Sequence, residues 1–397
     1  MSDIRQTILN GSENLKKTVT GLRRQLHQIP EIAYNESLTS AFIRRWLSEN
    51  NFEYKADIAG TGIIAIVKGD KKAGKTIAVR AEMDALPVTE RNKTGYESKH
   101  PGLMHACGHD AHMAMLMGSG LIMQSIKKSF GGNILLIFQP GEEKSPGGAR
   151  LMIEAGAFKD LKPDMFIAQH VLPELETGKV GYKAGRYMAS CDEIYITVRG
   201  KGGHAALPGL TTDQIYIASN LIVDLKNNMS QRQTARKIPT VLGIGKISGE
   251  GATNVIPEKV EIAGTFRTFD EKWRSEAHDL IRLVADLTAR KHKVEIDVHI
   301  VEGYPVLVND EMLTKEAIRL SRELLGEKNV ETYDIRMSSD DFSFYSSIAP
   351  SLYYRIGIKS RGGDMKKLHT PDFDIDEDGL ETGVANLSWL LYNFLSQ

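Results

Sequence analysis

The chain has 397 residues, of which 41% are hydrophobic and 25% charged, and its formal net charge is −1. This length exceeds what one hydrophobic core usually serves, so we predict about two domains in a globular protein. Lys and Arg are scattered rather than clustered, which argues against nucleic acid as a partner, because binding a phosphate backbone needs a concentrated basic surface.

The first part of the chain alternates helical and strand patterns. Apolar residues at helical spacing predict helices over 12–29 and 36–50, with a break at Pro30, and a Met-rich helix over 111–126. Short apolar runs predict strands at 63–67, 76–80, 133–138 and 164–168. This alternation predicts an α/β fold in which a mostly parallel sheet is flanked by helices.

The pattern changes between residues 187 and 300. Strands are predicted near 193–199, 240–247, 259–267 and 294–301, and helices near 211–228 and 271–290. The order β-α-β-β-α-β predicts an inserted α+β domain of the ferredoxin-like type. After Pro305 the alternation of helices and strands resumes. We therefore predict a catalytic domain made of residues 1–186 plus 301–397, interrupted by an inserted domain of residues 187–300.

Four of the eleven histidines lie between positions 100 and 112, beside Cys107. Cys107 and His109 are two apart in a Gly-containing loop, so both can reach one ion, and thiolate and imidazole are ligands of first-row divalent metals. Three neighbours favour a metal site over a buried structural thiol: His105, Asp110 and His112. A closed structural zinc site normally needs more cysteines, so we predict a catalytic centre with an open position.

Further candidates follow predicted strands. Glu142 and Glu143 are adjacent carboxylates after one strand, so one can bind metal while the other takes a proton from metal-bound water. Asp84 and His170 follow two other strands, and ligands of open α/β sheets bind at this edge. Asp84 could also orient a ligand histidine or simply form a turn. His369, in the segment Leu-His-Thr-Pro, is a weaker candidate on its own.

The inserted domain holds three more candidates. His204 lies in the glycine-rich segment 200–205, where turn chemistry and a functional histidine are equally supported. Asn254 and Arg267 are candidates for recognising a carbonyl or carboxylate, since Arg binds a carboxylate through two hydrogen bonds. A structural role for either residue remains open at this point.

Taken in order, these motifs closely resemble the M20 metallopeptidases, in the amidohydrolase branch of aminoacylase/hippuricase-like and indoleacetyl-amino-acid-hydrolase-like enzymes. The resemblance extends from Arg24 to Phe373, and its diagnostic segments are 83–87, 105–110, 139–143, 202–204 and 254–257. Four residues differ from the usual family pattern, and they weaken any prediction of the acyl or amino-acid pocket without removing a proposed ligand: Glu82, Gly141, Gly209 and Asp340.

The resemblance implies an enzyme with two divalent metal ions, Mn²⁺, Zn²⁺ or Ni²⁺, that hydrolyses N-acyl amino acids to a carboxylic acid and a free amino acid. It implies that Glu142 is the general base acting on a metal-activated water and that Asp84 is the carboxylate behind the metals. The metal ligands it implies are Cys107, His109, Glu143, His170 and His369.

The resemblance also implies a homodimer formed through the inserted domain. In relatives, a histidine that matches His204 can reach the partner's active site and polarise the scissile carbonyl. Asn254 and Arg267 would then lie near the carboxylate of the small-molecule substrate.

Three alternatives remain open from the sequence. A dipeptidase or aminopeptidase could use the same metal centre, but it needs a subsite for a free ammonium group, which no residue pattern indicates. A thiol hydrolase could use Cys107 with a nearby histidine. A metal-storing or ligand-binding protein would bind metal without turnover.

The longest apolar runs, such as 134–138, have the length of a strand, far short of the roughly 20 residues of a membrane span. The first residues are polar and lack the apolar core of a signal peptide. Two cysteines are too few for a disulfide framework and favour a reducing compartment. We therefore predict a cytoplasmic protein with no membrane partner.

Overall fold

The chain forms two units of structure in the computed structural model, which describes residues 2–396. Unit 1 comprises the described residues of Met1–Tyr187, Val308–Asp334 and Asp341–Gln397. Unit 2 comprises Met188–Leu307 and the short segment Ile335–Asp340. Residues 1 and 397, which end the predicted catalytic domain, lie outside the described part.

The predicted helices and strands are present, but some of them are clearly longer than predicted: the first helix begins at Ser2 rather than at 12, the strand predicted at 164–168 continues to Glu176, and the helix predicted near 211–228 continues to Arg236. The helices are α1 (Ser2–His27), α2 (Ser37–Glu49), α3 (His109–Ser125), α4 (Gly148–Glu154), α5 (Gln214–Arg236), α6 (Glu271–His292), α7 (Glu311–Leu325), α8 (Ser343–Ser346) and α9 (Asp378–Leu395). The strands are β1 (Glu53–Ile58), β2 (Gly62–Lys68), β3 (Lys71–Glu82), β4 (Gly131–Gln139), β5 (Met165–Glu176), β6 (Val180–Tyr182), β7 (Gly185–Met188), β8 (Asp192–Arg199), β9 (Gly203–His204), β10 (Thr240–Ser248), β11 (Val255–Ile256), β12 (Lys259–Thr268), β13 (Glu295–Glu302), β14 (Leu307–Asn309), β15 (Val330–Thr332) and β16 (Ser351–Lys359).

Unit 1 is built on a sheet whose described strands have the order β1-β2-β4-β3-β5-β16-β6-β15. The four central strands, β4, β3, β5 and β16, are parallel to one another, whereas β2 and β6 on either side of them are antiparallel. Residues 134–138 of β4 are five consecutive apolar residues, and all five are buried, as expected for a strand covered on both faces. The predicted α/β fold with a mostly parallel sheet flanked by helices is confirmed.

The buried helix α3 forms the centre of the helical layer of unit 1. It packs against α1, α9 and β3, and nearly all of its residues are buried, including its methionines. Such burial is expected of a helix whose residues are apolar around most of its circumference. Among the described residues, no helix combines the length and apolar character needed to cross a membrane.

Unit 2 has a four-stranded antiparallel sheet with the order β10-β12-β8-β13. Helices α5 and α6 cover one face of this sheet, and the core between them includes Leu221, Leu225, Trp273 and Ile281. This arrangement confirms the predicted ferredoxin-like α+β fold of the insertion.

Asp192, the first residue of β8, ties the sheet of unit 2 to α6. Its side chain is 0% exposed and accepts hydrogen bonds from Arg274 Nε at 2.9 Å and from His278 Nε2 at 2.8 Å. Burial by itself raises the pKa of Asp192, but the hydrogen bonds from His278 and Arg274 outweigh burial and hold the pKa below its ordinary value. The carboxylate is therefore ionised in the folded protein.

We expect Asp192→Ala to lower the free energy of unfolding by about 3–5 kcal/mol, because Arg274 loses its buried partner. The folded pKa of Asp192 lies below the unfolded value, which is about 3.9. The stabilisation is therefore complete above that pH and is lost as the pH falls through the folded pKa. Thermal unfolding at several pH values should show a weaker acid dependence in the variant than in the wild type.

The matched control is Asp297→Ala in the same unit. Asp297 pairs with Arg199 on the surface, where its side chain is 57% exposed, so its removal should change stability by less than about 1 kcal/mol. Equal losses in the two variants would contradict the anchoring role of Asp192.

Candidate metal centre

The predicted site residues of unit 1 lie close together where the parallel central strands end. Asp84 follows β3 and Glu142 follows β4. His170 differs from the prediction, because it lies inside β5 rather than beyond its end: Val171 still pairs with β16. β3, however, pairs with β5 only as far as Ala168. His170 therefore lies past the last β3–β5 pair, next to the end of β3.

Gly108 turns the chain from the Cys107 loop into α3, whose first residue is His109. Its φ is +84°, in the left-handed region that favours glycine. A Cβ at this position would lie 2.6 Å from Cγ2 of Val171, so a larger residue would also collide with β5. This turn brings both Cys107 and His109 into the buried interior beside His170.

The thiol of Cys107 contacts two of the predicted ligand histidines. Its Sγ lies 3.5 Å from Nε2 of His170 and 3.4 Å from Nε2 of His369. His369 Nε2 is also 3.3 Å from Oε1 of Glu143. His369 reaches the centre from an exposed loop, where its backbone has a φ of +60° and its N–H donates to the carbonyl of Ala106 at 2.8 Å.

His109 is held in the orientation of a metal ligand. Its Nδ1 lies 2.8 Å from the backbone carbonyl oxygen of Asp84, so this nitrogen donates and carries the proton. Its Nε2 is buried and has no hydrogen-bond partner within residues 2–396. An imidazole that donates to a carbonyl through one ring nitrogen and has no hydrogen-bond partner at the other is typical of metal-binding histidines. Asp84 Oδ2 in turn accepts the backbone N–H of Glu143 at 2.9 Å.

The electrostatics of the centre show an excess of buried negative charge. Burial lowers the pKa of His109, but Glu82, Asp84 and Glu143 outweigh burial and raise this pKa to about 10, so a cation that binds at Nε2 would displace a proton. Burial and the carboxylates of Glu143 and Glu142 raise the pKa of the Cys107 thiol well above its ordinary value. A bound divalent cation compensates such carboxylates and stabilises a coordinating thiolate.

The donor set fits two metal ions. The ligand atoms of Cys107, Glu143 and His369 lie within 4.8 Å of one another, and the same holds for those of His109, Glu142 and Glu143. Glu143 belongs to both groups, so it would help to hold both ions. Burial and the neighbouring His112 and Arg355 lower the pKa of His170 well below its ordinary value, which keeps its imidazole neutral, as a ligand must be.

Of the three residues that supported the sequence prediction, His112 and Asp110 have other partners, whereas neither ring nitrogen of His105 has a hydrogen-bond partner among the described residues. His112 Nδ1 bonds Glu82 at 2.8 Å, and its Nε2 accepts the backbone N–H of Val171 at 3.0 Å, so both ring nitrogens are engaged. Asp110 accepts from Arg23 and His27, each at 2.8 Å, and anchors the start of α3. His105 is fully buried, and burial lowers its pKa to about 3, which leaves it neutral.

The loop that carries Glu142 and Glu143 is shaped by residues that the sequence analysis did not identify. Gly141 has a φ of +56°, and a Cβ there would lie 2.2 Å from Cε1 of Tyr34. The hydroxyl of Tyr34 donates to the carbonyl of Lys144 at 2.5 Å, and the carboxylate of Glu36 accepts the N–H of Gly141 at 2.8 Å. No motif distinguishes Tyr34 and Glu36, because both are remote from the loop in sequence.

Unit 2 contains the other three predicted site residues. His204 of β9 is exposed and pairs in register with Val255 of β11, directly after Asn254, whose carbonyl accepts the N–H of Ala205 at 2.9 Å. His204 and Asn254 are therefore neighbours. Arg267 of β12 is half-buried, and its Nη1 donates to the carbonyl of Met337 at 2.9 Å.

Comparison with known proteins gives concordant results. Residues 78–393 match the family model described as peptidase family M20/M25/M40. The chain is 36% identical over 380 residues to N-acetyl-L-cysteine deacetylase of Bacillus subtilis (strain 168), covering 95% of this chain and 87% of the relative. It is 35% identical over 372 residues to IAA-amino acid hydrolase ILR1-like 4 of Arabidopsis thaliana, covering 92% and 83%.

A solved structure is similar over almost the whole chain. It is the Bacillus subtilis YXEP protein, described as a dinuclear metal binding peptidase from the M20 family, with a TM-score of 0.81 and 29% identity. The superposition covers 96% of this chain and 99% of the other.

Proposed function

The chain belongs to peptidase family M20/M25/M40, and on this basis we propose that it is a metal-dependent amidohydrolase of N-acyl amino acids, which it cleaves to a carboxylic acid and a free amino acid. The relatives named as a deacetylase of an N-acetyl amino acid and as an amino-acid-conjugate hydrolase support this reaction. The observation that carries the proposal is the convergence of thiol, imidazole and carboxylate groups around Glu142 and Glu143.

We propose that two divalent ions, Mn²⁺, Zn²⁺ or Ni²⁺, are held by Cys107, His109, Glu143, His170 and His369. When bound, such ions polarise the amide carbonyl and lower the pKa of a water molecule. Asp84 accepts from Nδ1 of His109 through its backbone carbonyl and from the backbone N–H of Glu143 through its carboxylate, so it orients two proposed ligands.

Glu142 is the proposed general base. It takes a proton from the attacking water as the carbon–oxygen bond forms, and it returns that proton to the amine nitrogen as the carbon–nitrogen bond breaks. Its side chain is buried, and its carboxylate lies within 4.8 Å of the possible ligand atoms of His109 and Glu143.

Unit 2 is the proposed lid and dimerisation domain. We propose that His204 polarises the scissile carbonyl in the site of the partner subunit, and that Asn254 and Arg267 recognise the substrate carboxylate.

Two features of unit 2 support a homodimer. Strand β10 has one neighbour in the described sheet, and apolar side chains on β10 and α5 are exposed, among them Ile247, Tyr216 and Val223. Analytical ultracentrifugation should give twice the mass of the 44.0 kDa chain.

The cytoplasm is the proposed location, because both cysteines are free thiols and Cys107 can coordinate metal only while it is reduced. The raised pKa of Cys107 also argues against the thiol-hydrolase alternative, since a nucleophilic cysteine needs a lowered pKa.

A substrate panel with metal removal and reconstitution tests the function. Acetyl-, benzoyl- and indoleacetyl-amino acids and dipeptides would be offered to chelator-treated protein and to the same protein reloaded with Mn²⁺, Zn²⁺, Ni²⁺ or Co²⁺. We expect free amino acid to be released from the acylated substrates only after reloading, because the proposed nucleophile depends on the metal.

The other outcomes of the panel distinguish the alternatives. Activity on dipeptides alone would indicate a peptidase. Activity that resists the chelator and is abolished by thiol alkylation would indicate a thiol hydrolase. Bound metal without turnover of any substrate would indicate an inert binding protein.

A further inference from the structure

A network of buried charged and polar groups adjoins the metal centre in unit 1. At its middle is Arg80 of β3, whose side chain is 0% exposed. Arg80 Nη2 donates to Asp341 Oδ1 at 2.6 Å, and Arg80 Nε donates to Gln139 Oε1 at 3.1 Å. Arg80 Nη1 donates to Glu82. One guanidinium therefore binds two buried carboxylates. Asp341 is bonded to the loop that carries Glu142 and Glu143, and Glu82 is connected through His112 to His170.

The first branch holds both ends of the loop that carries Glu142 and Glu143. Gln139, just before the loop, donates through Nε2 to Asp341 Oδ1 at 3.0 Å and to Oδ2 at 2.8 Å. Ala149, just after the loop, donates its backbone N–H to Asp341 Oδ2 at 2.9 Å. The carboxylate of Asp341 thus fixes the separation of the two loop ends.

The second branch leads from Glu82 to His170. Glu82 Oε2 accepts from Nδ1 of His112 at 2.8 Å, so Nε2 of His112 is free of its proton and accepts the backbone N–H of Val171 at 3.0 Å. The carbonyl oxygen of Val171 lies 2.7 Å from Nδ1 of His170. The ring of His112 therefore holds the backbone that orients His170.

We infer that Arg80, Glu82, His112 and Asp341 are positioning residues, which together set the distance of Glu142 and Glu143 from His170. This inference rests on the proposed function of the metal centre. Arg80 joins the two branches, and removal of one partner from a buried ion pair leaves an uncompensated charge. A displacement of about 1 Å at a reacting group can lower the rate about 10²-fold, so the network should matter for catalysis beyond its contribution to stability.

Two variants test the first branch. Asp341→Asn keeps the shape of the side chain and removes its charge, whereas Gln139→Met removes only the amide. We expect kcat to fall about 10²-fold in Asp341→Asn and about 10-fold in Gln139→Met, with KM changing less than about threefold. We also expect weaker binding of Co²⁺ and an altered visible spectrum of the Co²⁺-loaded protein, since Glu143 lies in the loop that both variants loosen.

Tyr182→Phe is the matched control. Tyr182 is fully buried in unit 1, but its hydroxyl bonds Ser321 of α7 at 2.6 Å and Asn386 of α9 at 3.0 Å. This variant should lower thermal stability and leave kcat and the Co²⁺ spectrum unchanged.

The inference is wrong if Asp341→Asn and Gln139→Met lose thermal stability as Tyr182→Phe does but keep kcat, Co²⁺ affinity and spectrum. If Asp341→Asn does not fold, Gln139→Met decides alone. If the wild type hydrolyses no substrate of the panel, the proposed function fails, and the Co²⁺ affinity and spectrum of the variants still decide the inference.

Discussion

Glu142→Gln is expected to lower kcat by a factor of about 10³ while both metal ions stay bound, because an amide of the same size cannot accept and return a proton. Glu142 is 8% exposed, so bulk water has little access to replace it as a base. The measurement is the rate of amino-acid release under saturating substrate, with the metal content of the same sample determined by elemental analysis.

Glu143→Gln, one residue away, is the matched comparison. The carboxylate of Glu143 lies close to the ligand atoms of Cys107 and His369 as well as to that of His109, whereas Glu142 shares no such group with Cys107 and His369. We expect Glu143→Gln to lose metal as well as activity. Loss of metal from Glu142→Gln, with metal retained in Glu143→Gln, would reverse the two roles.

Cys107→Ser is expected to weaken metal binding by more than about 10²-fold, which is beyond the roughly 10–100-fold typical of residues that only orient ligands. Its Sγ lies close to both His170 and His369, and a serine hydroxyl is a poor substitute for a thiolate. Titration with Co²⁺ would measure the affinity, and the thiolate-to-cobalt absorption band of the wild type should be absent from the variant.

Cys191→Ser is the control, because Cys191 is the other free cysteine of the chain and lies in unit 2. It should keep the metal affinity, the absorption band and the activity. If Cys107→Ser instead keeps its metals but loses all activity, Cys107 acts as a nucleophile and the thiol-hydrolase alternative gains support.

The sequence was sufficient to predict those parts of the molecule that local patterns encode. The strands that carry Asp84 and Glu142 are short apolar runs, and their ends were found to within a few residues because β3 and β4 are covered on both faces. His170 was misplaced relative to its strand. The run 164–168 ends at polar Gln169, yet β5 continues to Glu176 because pairing with β16 supplies partners that no local pattern shows.

The supporting residues of the centre could not be predicted, because their partners are remote along the chain. Arg80 and Asp341 are 261 positions apart, and Asp110 is 87 positions from Arg23. The histidine-rich segment 105–112 indicated that His112 lies near a metal. Its two ring nitrogens are instead hydrogen-bonded, one to Glu82 and the other to the backbone N–H of Val171. The segment 335–340, which joins unit 2, has no composition that separates it from its surroundings.

The discontinuity of unit 1 has a consequence for biosynthesis. Strand β16 lies between β5 and β6 in the sheet, and His369 follows it in the chain. During translation, β5 and β6 leave the ribosome long before the strand that must be inserted between them, whereas most of unit 2 is synthesised in one stretch. Unit 2 can therefore fold while the sheet of unit 1 still lacks β16, and a nascent chain acquires its complete set of proposed metal-binding groups only after His369 has been synthesised.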